Sequence, residues 1–236
     1  MTPIATASNA GGAPSLGGRR GRALSAAELL VGAAIVVGHN VFHVIPNEVP
    51  ILVVLALASI RIREGGFAPV GLGRPKSWPR TVLLAAITAF VVLAAGEFVT
   101  EPLAKMIGMR EHAGAAAHAL GAAKGDAWAV ARNLAIVWAF AAFGEEIGYR
   151  RYLLGRATDL GNRTTLANCL ALVAVSALFG LGHFYQGPAG VFTTACDGFV
   201  IGAAYLLTRR NLWVAVLAHG LVDTVAIVLL YFGLAN

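Results

Sequence analysis

Charge is what this chain has least of. Only 13% of its 236 residues are Asp, Glu, Lys or Arg, against roughly 25% in soluble domains. That shortfall excludes an ordinary soluble globular domain and a charge-rich disordered chain alike. Cysteine is nearly absent. Cys169 and Cys196 both fall in apolar stretches and no Cys-x-x-Cys occurs, which excludes a disulfide framework and a cysteine-built metal centre and leaves packing as their role. No repeat at a fixed period and no inverted pairing of segments can be found, which argues against a solenoid and a repeat-built transporter. The basic excess, a net charge of +6, is not interleaved with aromatic residues. It flanks apolar runs, so no nucleic-acid partner is expected.

What is abundant is apolar sequence, 58% of the chain, in runs at about 26–45, 49–62, 81–99, 128–149, 166–184, 190–207 and 212–233. A perpendicular membrane helix needs roughly 20 residues. The runs predict an all-α, polytopic transmembrane helix bundle of about seven spans, the second of them short. The long stretch 101–127 has room for an eighth span or an interfacial helix. Of the 18 basic residues, only Lys105, Arg110, Lys124 and Arg132 lie on or beside the loop opposite to the others. The positive-inside rule then puts the amino terminus in the cytoplasm and the carboxyl terminus outside, in the cell's inner membrane. Residues 1–25, rich in Gly, Ala and Ser with Arg19, Arg20 and Arg22, read as a disordered cytoplasmic tail ahead of a membrane domain at 26–236.

Ionisable residues inside such runs are rare and functional by default. Glu145 and Glu146 end one run, His183 ends another, and His219 and Asp223 sit in the last. On a helix the adjacent glutamates point about 100° apart, so only one faces a given site squarely. Glu146 and Arg150, four apart, share a face and can form an ion pair. That leaves Glu145 free to serve as a general base. His219 and Asp223 share a face in the same way.

Glu-Glu-x-x-x-Arg at 145–150, Phe-x-x-x-His at Phe179 and His183, and His-x-x-x-Asp at His219 and Asp223 stand in that order. Together they resemble the CAAX-processing and bacteriocin-processing (CPBP, Abi) family of intramembrane endopeptidases, also called type II CAAX prenyl endopeptidases. Gly71-Leu72-Gly73-Arg74-Pro75, the stretch from Phe179 to Gly187, and Asn211-Leu212-Trp213 look like it too. The likeness covers about 70–232 and is strongest beyond 140.

The resemblance implies a membrane protease that cuts a membrane-embedded or lipid-modified peptide at or within the bilayer. Glu145 would activate water, His183 would assist it or bind metal, and His219 with Asp223 would hold the oxyanion or complete a metal site. Glu146 and Arg150 match the structural pair, with Phe179 beside them. The family has a metal-dependent and a metal-free account. Asp223 stands where the family often has Asn. An ionised Asp repels an oxyanion and suits a divalent cation, which favours a Zn²⁺ held by His183, His219 and Asp223 over the metal-free scheme. Arg151 stands where the family commonly has Gly. The alternative is a catalytically silent scaffold or bacteriocin-immunity protein of the same fold.

One tension remains in the spacing. At about 1.5 Å per residue, Glu145 lies roughly 8 Å inside the membrane if Arg150 marks its edge. His219 lies roughly 10 Å in from Leu212, and His183 roughly 25 Å in from Leu166. Their meeting requires that the fifth helix start later, tilt or have an interfacial first turn, and residues 158–168 are expected at the membrane surface. Other candidates read as structural. His39 and His43 have no carboxylate at helical spacing, and His112 and His118 lie in the polar segment. Glu97 and Asp197 each read either as a packing hydrogen bond or as a neighbour of the site, with Asp197 the better candidate for the latter. Trp78, Trp128, Trp213 and Tyr231 fit an interfacial aromatic belt.

Overall fold

The computed structural model describes residues 18–110, 112 and 124–234. His118 and the tail residues 1–17 lie outside it, as do 111 and 113–123 of the stretch with room for an eighth span. Among the described residues the chain is all helical. Each apolar run lies in one of seven helices: α1 Arg19–Asn40, α2 Glu48–Arg63, α3 Trp78–Met106, α4 Ala127–Leu160, α5 Thr165–Leu181, α6 Gly187–Leu207 and α7 Leu212–Phe232. Five are long and apolar enough to cross a membrane: α1, α3, α4, α6 with the turn before it, and α7. The fifth helix has 17 residues and the second 16.

The starts are written locally. Asn47, Ser77, Asp126, Thr164 and Asn211 each cap a helix by accepting a backbone N–H in its first turn, which satisfies donors the helix leaves free. Pro50 lies in the first turn of α2, where its missing N–H costs nothing. Four boundaries differ from the sequence reading. The first helix ends at Asn40 and not near 45, and the fourth continues past 149 to Leu160. The first helix begins at Arg19, so residues 19–25, assigned to the tail, are helical. The third runs on from 99 to Met106 through a wide turn at Gly96–Thr100, where the Glu101 N–H reaches the Gly96 carbonyl. That widened turn lies just ahead of Pro102, whose ring would clash with a regular α-helical turn.

The core lies between α2, α4, α5, α6 and α7, with Leu52, Tyr149, Leu153, Phe179, Tyr205 and Leu212 buried together. At one end, Arg63, Arg151 and Arg156 are buried and paired with Glu28, Glu64 and Asp159. These ion pairs tie α1, α2 and α4 into one unit. At the other end His39 Nε2 lies 3.1 Å from Glu48 Oε2, and the Asn40 amide donates to the same carboxylate at 3.0 Å. His39 thus does have a carboxylate partner, brought by the next helix and not by helical spacing.

Trp213, read as a belt residue, is instead a tether. Its Nε1–H donates to the carbonyls of Leu72 and Gly73, at 3.1 Å each, and its ring packs edge-on against Trp78 and Phe143. Two of the stretches that carry the family likeness therefore touch each other.

Candidate active site

The fourth helix is not a regular α-helix where it matters. Val137–Leu153 winds with i→i+5 hydrogen bonds, and the Leu154 N–H reaches the Tyr149 carbonyl. Such winding is rare and concentrates at functional sites. This segment carries Glu145, Glu146, Tyr149 and Arg150. The 100° offset of the adjacent glutamates assumed regular α geometry and does not describe this turn.

Glu146 is fully buried. Its Oε1 forms an ion pair with Arg150 Nη1, 2.9 Å away, and accepts from His219 Nδ1 at 2.8 Å. The carboxylate opposite Arg150 can only accept, so His219 carries its proton on Nδ1. The Nε2 of His219 then faces Asp223, 3.6 Å away at Oδ2, too far for a direct hydrogen bond. Arg150 also donates from Nη2 to the Gly198 carbonyl at 3.3 Å. A buried charge this expensive needs that set of partners.

Phe179 is the hub of the site. The Arg150 guanidinium stacks 4.2 Å from its ring centre. The rings of Tyr149, His183 and His219 lie 5.0, 4.9 and 5.9 Å from it. His183 sits just past the end of α5, where its Nδ1–H donates to the Phe179 carbonyl at 3.0 Å. Two glycines make the approach feasible. A Cβ on Gly198 would come within 2.8 Å of the Phe179 ring, and one on Gly220 within 2.6 Å of Trp138. Trp138 in turn donates to Thr224 at 3.2 Å, which seats α7 against α4 beside His219.

Glu145 is half-buried, with an Oε2 that has no hydrogen-bond partner among the described residues. The Oε2 of Glu146 is likewise unpartnered, but its other oxygen is doubly engaged. The charges closest in effect to Glu145 are His219, Asp223, Glu146 and Arg150. Asp197, one residue before Gly198, is half-buried and lies within electrostatic reach of His219, Arg150 and Asp223. A void of about 10 Å³ lies behind Arg150 and Phe179, the size of a single water site.

The depth mismatch has a physical resolution. Arg150, Arg151 and Arg156 are buried in protein, not at a membrane edge, and α4 continues to Leu160. Measured from there, Glu145 lies roughly 20 Å in, close to the roughly 25 Å of His183. Leu212 is itself fully buried, so α7 starts inside the bundle and His219 lies deeper than its count implied.

A zinc site needs three converging protein ligands. Among the described residues no group of three or more His, Cys, Asp or Glu side chains is placed to hold a metal. Nδ1 of His219 faces Glu146 and Nδ1 of His183 a carbonyl, so any ligation would fall to Nε2 of each ring. His183, His219 and Asp223 do not form a three-ligand metal group in this arrangement.

Sequence spacing missed the contact between Glu146 and His219, the Gly198 carbonyl, and Tyr149. None of these carries a helical-spacing signal, because each joins separate helices or depends on the wide turn. No curated protein and no solved structure matches the chain. Residues 127–225 match the family described as type II CAAX prenyl endopeptidase Rce1-like. That stretch runs from the first residue of α4 past Asp223, so it holds the whole constellation around Phe179 and is narrower than the 70–232 of the motif likeness. The chain therefore carries, at 127–225, an Rce1-like type II CAAX prenyl endopeptidase domain, consistent with the wider CAAX-processing and bacteriocin-processing family.

Proposed function

We propose that this multi-pass membrane protein is an intramembrane endopeptidase that uses Glu145 to activate water. One observation carries the reading. A buried chain from Arg150 through Glu146 to His219 stands beside a second glutamate whose Oε2 is buried and has no partner among the described residues. A structural pair needs one glutamate; the other is left over for chemistry.

In this scheme Glu145 takes a proton as water adds to the scissile carbonyl, with His183 orienting that water. The C–O bond forms and the carbonyl becomes an oxyanion. With both ring nitrogens protonated, His219 donates Nδ1–H to Glu146 and presents Nε2–H to the oxyanion. Asp223 stands behind it. Glu145 then returns its proton to the leaving amine as the C–N bond breaks. The peptide is embedded in the bilayer or held there by a lipid group. The amino terminus lies in the cytoplasm and the carboxyl terminus outside, in an inner membrane.

The test is membrane proteomics of cells with wild-type and Glu145→Gln protein. An intact precursor that accumulates only with the variant supports the protease reading. An unchanged membrane proteome together with an unchanged phenotype would leave the silent scaffold or immunity role in its place.

A further inference from the structure

Away from the site, an apolar groove of about 450 Å³ opens between α1, the end of α4 and α5. Its volume falls within the roughly 300–1,000 Å³ typical of small-molecule sites. Leu29, Leu160, Leu166 and Leu170 wall it, and Ala171 and Ala174 line it between them. Leu166 and Leu170 are 68% and 62% exposed, so the groove is open along its side to the hydrocarbon around the bundle.

One end of the groove is basic. Gly161 and Thr164 line it, and Asn162 and Arg163 stand between them in the same exposed turn. Arg22, on α1, shares the helix face of Leu29 seven residues on and donates to Asn162 Oδ1 at 3.3 Å. No carboxylate lies within ion-pair distance of Arg22 among the described residues. Arg163 uses Nε for Asp159, at 2.7 Å, which leaves both terminal nitrogens of its fork for another anion.

An apolar slot open to lipid, headed by two arginines at one end of the bundle, matches one chemistry. We propose that the groove binds one anionic phospholipid, with an acyl chain between α1 and α5 and its phosphate on Arg22 and Arg163. Basic pockets at the ends of membrane helices recognise anionic headgroups in this way. The ligand here is a resident lipid, separate from the peptide cut at Glu145.

The full chain, purified in detergent, is delipidated and titrated with phosphatidylglycerol or phosphatidylcholine. Native mass spectrometry counts retained lipid. One phosphatidylglycerol retained per chain, and no retained phosphatidylcholine, is expected. Arg22→Gln with Arg163→Gln should weaken binding about thirtyfold, from the attraction of two basic residues for an anionic headgroup. Ala174→Phe, at an exposed groove position, should block the acyl chain while leaving the arginines in place. Equal retention of both lipids, or full phosphatidylglycerol binding by Ala174→Phe, would overturn the proposal. Displacement by inorganic phosphate alone would reduce it to a surface anion contact and overturn it too. Stoichiometric displacement by a farnesylated peptide would reassign the groove to substrate. None of these readings depends on cleavage, so failure here is separable from failure of the protease scheme.

Discussion

His219 gives its Nδ1–H to Glu146 at 2.8 Å, on a different helix, and stands 3.6 Å from Asp223, one turn along its own. The shared-face pair that helical spacing pointed to is the looser of the two contacts. The tighter one makes Glu146 an anchor for both Arg150 and His219, so its removal should be felt in folding as well as chemistry.

Glu146→Gln leaves Arg150 buried without its anion. Breaking a buried pair from one side costs about 3–5 kcal/mol. The variant should give a lower folded yield and a lower melting temperature in detergent, alongside lost cleavage. A Glu146→Gln protein with wild-type thermal stability would contradict the anchoring role.

Glu145→Gln should behave oppositely. Its Oε2 holds no partner among the described residues, so the isosteric amide removes little that supports the fold. Stability should stay within about 0.5 kcal/mol of wild type, while cleavage falls at least about 10²-fold through loss of the general base. Side-by-side melting curves and single-turnover assays of the two glutamine variants check this contrast.

Much of this was readable from residue types alone. The seven apolar runs became helices chiefly through their apolar content, and five of the seven also carry a side-chain cap at the start. The pair of Glu146 with Arg150 followed from spacing four, and the convergence on Phe179 did not. His219 and Glu146 meet through tertiary packing of α7 on α4, which depends on Gly220 admitting Trp138. The depth argument failed because arginines were read as edge markers, whereas Arg150 and Arg156 are buried and paired. Nor does any local pattern announce the i→i+5 winding of 137–153.

Metal dependence can be checked directly. The donors His183, His219 and Asp223 do not form a three-ligand group here, so chelator-treated protein should retain its activity, with well under one metal per chain by elemental analysis. Asp223→Asn should keep or raise activity, since an amide can donate to the oxyanion where an ionised carboxylate cannot. Activity that disappears with chelator and returns with added Zn²⁺ would restore the metal scheme.

Arg156 tests the other end of the bundle. It is fully buried, with Glu28, Glu64, Asp159 and Ser59 around it. Arg156→Ala should destabilise the protein by several kcal/mol because three acids lose their shared cation. Glu145 lies more than two turns away, so whatever protein remains folded should cleave at the wild-type rate per active molecule. A stable but inactive Arg156→Ala would move this cluster into the catalytic machinery.

Phe179 is the most informative single position. Its ring holds the Arg150 guanidinium at 4.2 Å and packs against His183 and His219. Phe179→Leu keeps an apolar side chain but removes the flat face. The lost cation–π contact is worth about 0.5–2 kcal/mol, so a moderate fall in stability is expected. The effect on turnover should be larger, because both imidazoles lose the surface that orients them and small misplacements cost about 10²-fold in rate. Phe179→Tyr keeps the face and should recover most of the turnover if its hydroxyl is accommodated. Measured together, the two variants separate orientation from bulk. Equal losses of stability and turnover in Phe179→Leu, with no recovery in Phe179→Tyr, would reduce Phe179 to a core residue.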